Sequence, residues 1–220
     1  MAAPTASSTS RPTATSPQRL ALLDRSVEAF AGPTRSAKPV AMVLRTRPIT
    51  GEQTVLPVIA RASDRLGRDW LRVLLPGRPN SHAGWIEARS TTPAVTRWRI
   101  AIRLRTRAVS ALKDGRAVRT FEAVVGKPST PTPRGRFFVE ETVNLAHQEV
   151  GAPYALALSA RSTVFQEFAG GPGQVALHGT NNVGGVLTTA ASHGCIRLAT
   201  QAITWLAKRV RPGTPVTITR

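Results

Sequence analysis

The stretch QVALHGTNNVGGVLTTAASHGCIRL, residues 174–198, holds the reading of this chain. It starts as an apolar run that stops at His178-Gly179, which places an imidazole at the end of a strand and facing a loop. It finishes at Cys195, the only cysteine among 220 residues, with His193 and Gly194 directly before it. A lone thiol is ordinarily a small core hydrophobe. Here the neighbours argue otherwise, because a single cysteine with a histidine elsewhere in the chain is the arrangement of a nucleophile and its base. The 17-residue separation of His178 from Cys195 is bridged by a glycine-containing link that can bring the two side chains face to face. Gly194 lets the backbone turn tightly, so that the amides of Gly194 and Cys195 point into one concavity as donors for a developing oxyanion.

Composition sets the frame around this stretch. A hydrophobic fraction of 41% is ordinary for a chain that buries a core, and 220 residues suffice for one large or two small domains. Thirty Lys plus Arg against twelve Asp plus Glu give a formal charge of +18, which points to polyanionic neighbours: nucleic acid, anionic lipid or an anionic wall polymer, among which charge alone does not choose. No carboxylate side chain follows Glu167, so the base of a triad ending at Cys195 has no local acidic partner. One cysteine excludes an internal disulfide. No apolar run approaches the roughly 18 residues of a membrane span. The early apolar run LALL, residues 20–23, is shorter than the ~7 to 15 residues of a signal core, so no export signal is readable.

Along the chain, residues 1–17 are rich in Ser, Thr and Pro and predict disorder, and the spacing of Leu20, Leu23, Val27 and Phe30 predicts at most a marginal helix. Residues 1–37 are thus read as a disordered or weakly helical tail. From 38 to 92, short β-like runs alternate with Gly, Pro and Asn. The segment WLRVLLPGRP followed by GWI resembles bacterial SH3-like domains, implying a small β-barrel. RWRIAIRLR, residues 97–105, sets Trp98, Ile100, Ile102 and Leu104 on one face of a half-buried strand and opens a second domain over 96–220. Asp114-Gly115 predicts a hairpin, since a primed turn needs positive φ. TQAITWLAKRV, residues 200–210, predicts a helix with Thr200 as N-cap.

The motifs HGT and SHGCIRL, together with GKPSTPTPRGRF, GAPYALALS and GGPGQVALHGT, resemble the YkuD-type L,D-transpeptidases, which cross-link or trim peptidoglycan. The expected fold is therefore mainly β: a small SH3-like barrel followed by a YkuD-type β-sandwich-like catalytic domain with one late α-helix. The resemblance implies Cys195 as nucleophile and His178 as base, with the backbone oxygen of Gly179 orienting the imidazole. An upstream Glu140, Glu141 or Glu167 is the alternative orienting group. It also implies His193 and Gly194 in the catalytic loop, and Tyr154, Ser192 and Arg197 on the substrate side, with loop bracing as the other reading of Arg197 and core packing that of Tyr154. Arg134 stands where a small or polar residue is more usual. A thiolate is expected from the neighbouring imidazole. The implied partners are peptidoglycan stem peptides, with anionic wall polymers also fitting the charge. No cofactor or metal is implied, a monomer is expected, and the implied location is the periplasm or cell wall. Water as acceptor would make a carboxypeptidase.

Three rivals have distinct signatures. His178, His193 and Cys195 can supply three zinc ligands, yet no general-base carboxylate lies near them in sequence. Specific nucleic-acid binding would suit +18, but aromatic content is only 5% and no reader motif is present. A non-catalytic wall-binding protein on the same fold would show no turnover.

Overall fold

The computed structural model describes residues 16–167 and 171–220. Its first sheet contains β1 (Gln18–Leu23), β2 (Val27–Phe30), β3 (Pro39–Val43), β4 (Val55–Ser63), β5 (Asp69–Leu74), β6 (Ala83–Glu87) and β7 (Thr91–Thr96), in the spatial order β3-β2-β6-β5-β4-β1-β7. Every pairing in it is antiparallel. Residues 18–30, expected as a marginal helix, are strands instead. β1 is paired along its whole length, Gln18 to Leu23, with β7, and those ladder bonds together with burial of Leu20, Ala21 and Leu23 outweigh a short apolar stripe of helical spacing. The disorder expected for residues 1–15 lies outside the described residues.

The second sheet contains β8 (Trp98–Arg103), β9 (Ala108–Lys113), β10 (Arg116–Gly126), β11 (Gly135–Asn144), β12 (Tyr154–Arg161), β13 (Gln174–Gly179), β14 (Ala190–Ser192), β15 (Ile196–Leu198) and β16 (Pro215–Thr219). Its order is β14-β10-β15-β13-β12-β11-β16-β8-β9, and β10 also pairs with β9, which closes the strands on themselves. The predicted hairpin is present: Asp114 and Gly115 have φ of 54° and 77°, both left-handed, as a primed turn requires. The single helix, α1 (Thr200–Ala207), is one residue out of phase with the expectation. Ala199 occupies the cap, and the Thr200 hydroxyl donates to Asn181 Oδ1 at 2.8 Å. The helix also stops at Ala207 rather than Val210, although Val210 stays buried.

One face of this sheet is the core. Leu156, Leu158, Val175, Leu177, Ile196 and Leu198 pack there with Ile203 and Leu206 of α1. Because side chains alternate across a strand, the residues between them emerge on the opposite face. Strand parity thus fixes which side of the sheet each candidate residue occupies.

The two sheets are joined by buried charge and by one shared aromatic. Phe138 of β11 sits in the core of the first sheet. Glu140 accepts from Arg47 and, at 3.0 Å, from Arg161, while Glu141 Oε2 accepts the Thr50 amide at 2.9 Å and its hydroxyl at 3.0 Å. Among the described residues, no helix is long and apolar enough to cross a membrane.

Candidate active site

The base and the thiol are brought together by parallel pairing of β13 with β15. Leu177 is opposite Ile196 and His178 opposite Arg197, so the register sets Ala176 beside Cys195. Leu177 and Ile196 point into the core. His178, Ala176, Cys195 and Arg197 therefore share the other, open face. With strands about 4.8 Å apart and about 3.3 Å of rise per residue, the Cα atoms of His178 and Cys195 lie roughly 8 Å apart on a diagonal, within reach of an imidazole and a thiol. Both residues keep part of their surface accessible.

The Gly179 carbonyl orients the His178 ring. His178 Nδ1 lies 2.8 Å from the Gly179 carbonyl oxygen, and since a carbonyl only accepts, Nδ1 carries the proton and Nε2 keeps a lone pair. The carboxylate alternatives fall away for Glu140 and Glu141, which are committed to Arg47, Arg161 and Thr50 between the sheets. Gly151 presses against the ring, which is why a left-handed glycine (φ 86°) sits there. Its carbonyl accepts the Gly179 amide at 2.7 Å, and its amide donates to Asn181 at 2.8 Å.

Burial pushes the Cys195 thiol up, against a hydrogen bond from Ala176 and the positive charge of Arg197. Burial pushes the His178 imidazole down; the Gly179 hydrogen bond opposes this and the Arg197 charge reinforces it. Burial thus favours the neutral form of each group and works against the expected thiolate.

The nucleophile loop is braced from within and from a neighbouring loop. Ser192 is fully buried, with its hydroxyl donating to Cys195 O at 2.5 Å and accepting from the Gly194 amide at 3.1 Å. The substrate-side assignment of Ser192 is thereby corrected: it holds the loop and offers a ligand no surface. The Gly194 amide, expected as an oxyanion donor, is engaged with that hydroxyl at rest. The turn itself needs glycine, since Gly194 has φ 119°. Thr132 donates to Gly194 O at 2.9 Å and Thr130 to Ser192 O at 3.1 Å, two clamping residues that sequence reading missed. The alternation of threonine with proline in STPTP, which sends both hydroxyls the same way, was the available signal.

Tyr154 is also corrected. It pairs with Asn144, while its neighbour Ala155 pairs with His178. Parity therefore turns the phenol toward α1, where it packs on the core and lines a cavity with Thr142, Lys208 and Arg211, away from the thiol face. Arg197 donates to Gly184 O at 3.3 Å and so braces the 180–190 loop over the open face. His193 is exposed, and its ring centroid lies 6.1 Å from that of Phe165. The strand that precedes Phe165 is tied to the first sheet. Arg78 donates to Ser162 O at 2.9 Å, Phe165 O at 2.8 Å and Pro172 O at 3.0 Å, and Asn80 pairs with the Arg161 backbone. Among the described residues no three His, Cys, Asp or Glu side chains converge as metal ligands, so His178, His193 and Cys195 do not form the zinc cluster of the rival reading.

A cysteine and an oriented histidine thus share one face of a β-sheet, with a glycine turn before the sulfur. The model of the YkuD L,D-transpeptidase catalytic domain matches residues 97–218, and the chain belongs to that family. It is 31% identical over 155 residues to a Bacillus licheniformis protein that bears the name L,D-transpeptidase YkuD, covering 67% of this chain and 86% of that one. Among solved structures it is similar to an L,D-transpeptidase from Mycobacterium tuberculosis at 15% identity, with a TM-score of 0.49, covering 76% of this chain and 90% of that one. The Enterococcus faecium L,D-transpeptidase C442S mutant shares 23% identity with a TM-score of 0.43, over 56% of this chain and 49% of that one.

Proposed function

We propose that the protein is a peptidoglycan L,D-transpeptidase working through a thioester on Cys195. The observation that carries this reading is the parallel register of β13 and β15, which puts Cys195 and a His178 oriented by Gly179 on one open face. In the proposed cycle, His178 Nε2 removes the thiol proton as the sulfur bonds to the donor carbonyl. The carbonyl electron pair moves to oxygen, where the Cys195 amide stabilises it with the Gly194 amide once that amide is released from Ser192. Collapse breaks the C–N bond, and the imidazolium gives its proton to the departing D-alanine. An acceptor amine then attacks the thioester, and its proton returns to sulfur through His178. The donor is a tetrapeptide stem cleaved after its third residue, the acceptor is a side-chain amine of a neighbouring stem, and the place of action is the periplasm or cell wall. Residues 38–92, which supply β3 to β6 of the first sheet, are read as an SH3-like unit.

Mass spectrometry of the intact protein with a stem tetrapeptide, or with a carbapenem as acylating probe, tests the reading. Cys195→Ala should abolish the adduct and turnover, and His178→Ala should slow both by about 10²- to 10⁴-fold, the range of a general base. Wild-type rates in the Cys195 variant would end the assignment.

A further inference from the structure

The candidate active site accounts for little of the +18 charge, and part of the remainder is mounted on aromatic rings. Trp98 of β8, Phe121 of β10 and Trp205 of α1 form one cluster, with ring centroids 5.9 Å apart for Trp98 and Trp205 and 5.6 Å apart for Phe121 and Trp205. Strand register and helical spacing decide what covers it. Lys113 stands directly opposite Trp98 in the β8–β9 ladder, and its ammonium lies 5.6 Å from that ring. Arg119 and Phe121 share a face of β10, so the guanidinium reaches Phe121 at 5.3 Å and Trp205 at 5.7 Å. Arg209 follows Trp205 by one helical turn, lies over its ring at 4.2 Å and donates to its carbonyl at 3.1 Å.

Each ring thus carries a cation, and all three cations are exposed. No acid neutralises them. Among the described residues Lys113, Arg119 and Arg209 form no ion pair, and the neighbouring Asp114 is bound to Arg97. Glu122 projects from the opposite face of β10 by alternation, and no Asp or Glu follows Glu167. A guanidinium laid on a ring has its flat side occupied and its N–H edge left for an anion, with much of its freedom already given up. The covered rings also select the partner. A nucleobase or a sugar needs an aromatic face to stack on, and these faces hold cations. A lipid interface needs apolar side chains that protrude, whereas the three rings are half-buried and pack on the core. A row of separate positive edges suits a flexible chain that bears one negative charge on each repeat and no ring.

We propose that Lys113, Arg119 and Arg209 form a docking surface for a linear polyol-phosphate chain. The surface abuts the core, and Cys195 and His178 emerge from the other face of the sheet, so a docked chain leaves the thiol open. The probe is polyglycerol phosphate, titrated by calorimetry at low salt. Binding should weaken as salt rises. R119Q/R209Q should weaken it about tenfold, the loss of two exposed charge contacts, while R119K/R209K keeps the charges and retains most of it. The control is R61Q/R72Q, which removes the same charge from exposed arginines of the first sheet that form no ion pair, and it should bind like the parent. Near-UV circular dichroism checks the fold of every variant. An equal loss in both double Gln variants would reduce the effect to net charge and overturn the surface. So would a short DNA duplex or phosphatidylglycerol vesicles that bind more tightly than the polymer and lose that binding in R119Q/R209Q alone, since the cluster would then serve nucleic acid or membrane. Acylation of Cys195 by a carbapenem should run at the parent rate with the polymer bound; a slowed rate would lay the chain across the thiol face and overturn its placement. Binding is read without turnover, so a protein that forms no acyl adduct would defeat the transpeptidase reading and leave this surface standing.

Discussion

Gly151→Ala separates backbone cost from displacement of the base. A Cβ at position 151 would lie 2.5 Å from His178 Nδ1, 2.9 Å from its Cγ and 3.1 Å from its Cβ. Contacts below 3.0 Å to a ring held by a 2.8 Å bond leave the imidazole no place to stay, so it must swing off the Gly179 carbonyl. The left-handed backbone at φ 86° adds roughly 1–2 kcal/mol for any residue with a Cβ. In a domain of this size that backbone term alone lowers the melting temperature by about 2–8 °C. Gly67→Ala is the matched control: its φ is 72° and nothing lies within 4 Å of the added Cβ, far from the thiol in the turn between β4 and β5. Gly67→Ala should show the backbone loss alone, and Gly151→Ala at least that much. Only Gly151→Ala should also slow acylation of Cys195, by about 10²- to 10⁴-fold if the base is lost entirely. The assay is the adduct fraction by intact mass over time, with melting followed by circular dichroism. Acylation at the parent rate in Gly151→Ala, with the expected drop in melting temperature, would refute the claim that the Gly179-bound imidazole is the working base.

The pH profile follows from the direction of the two shifts. Since burial lowers His178, its neutral form persists below the ordinary value of about 6.5, so the acidic fall in acylation should be centred below that value; a midpoint above it would contradict the shift. For the same reason the unfolded chain takes up the histidine proton first, so this group's contribution to stability is complete above about pH 6.5 and is lost as pH falls toward its depressed folded value. Since burial raises Cys195, its alkylation by iodoacetamide should climb only above the ordinary thiol range; rapid alkylation at pH 6 would reveal a thiolate and contradict that direction. Arg78→Ala removes donors to three carbonyls flanking Phe165 from an exposed side chain, so melting should change little while KM for the donor peptide rises several-fold; an unchanged KM would show that the first sheet does not set that wall.

How much of this was legible depends on whether the deciding interaction was local. The hairpin at Asp114-Gly115 and the half-buried strand from Trp98 were readable because φ preference and alternation are carried by adjacent residues. The helix was readable to within a residue at its start, but its cap was not: Thr200 is the first helical residue, and its hydroxyl donates to Asn181, 19 residues away in sequence. Residues 18–30 misled for the same reason. Their ladder partners are Thr91–Thr96, and nothing near Leu20 in the chain announces them.

The candidate site divides along the same line, and the surroundings of the thiol show why. Proximity of His178 and Cys195 follows from a motif, and a motif in water favours an ion pair. Protonation state is set instead by how much protein surrounds each group, which depends on Gly151 against the ring, the 180–190 loop over Arg197, and the Thr130–Thr132 clamp under the nucleophile loop. Each of these arrives from a distant segment. Arg197, on the same face, is a charge that eases thiolate formation and resists imidazolium formation, so it cannot stabilise the ion pair as a whole. With burial favouring both neutral forms, the proposed cycle couples proton transfer to sulfur attack at the bound carbonyl.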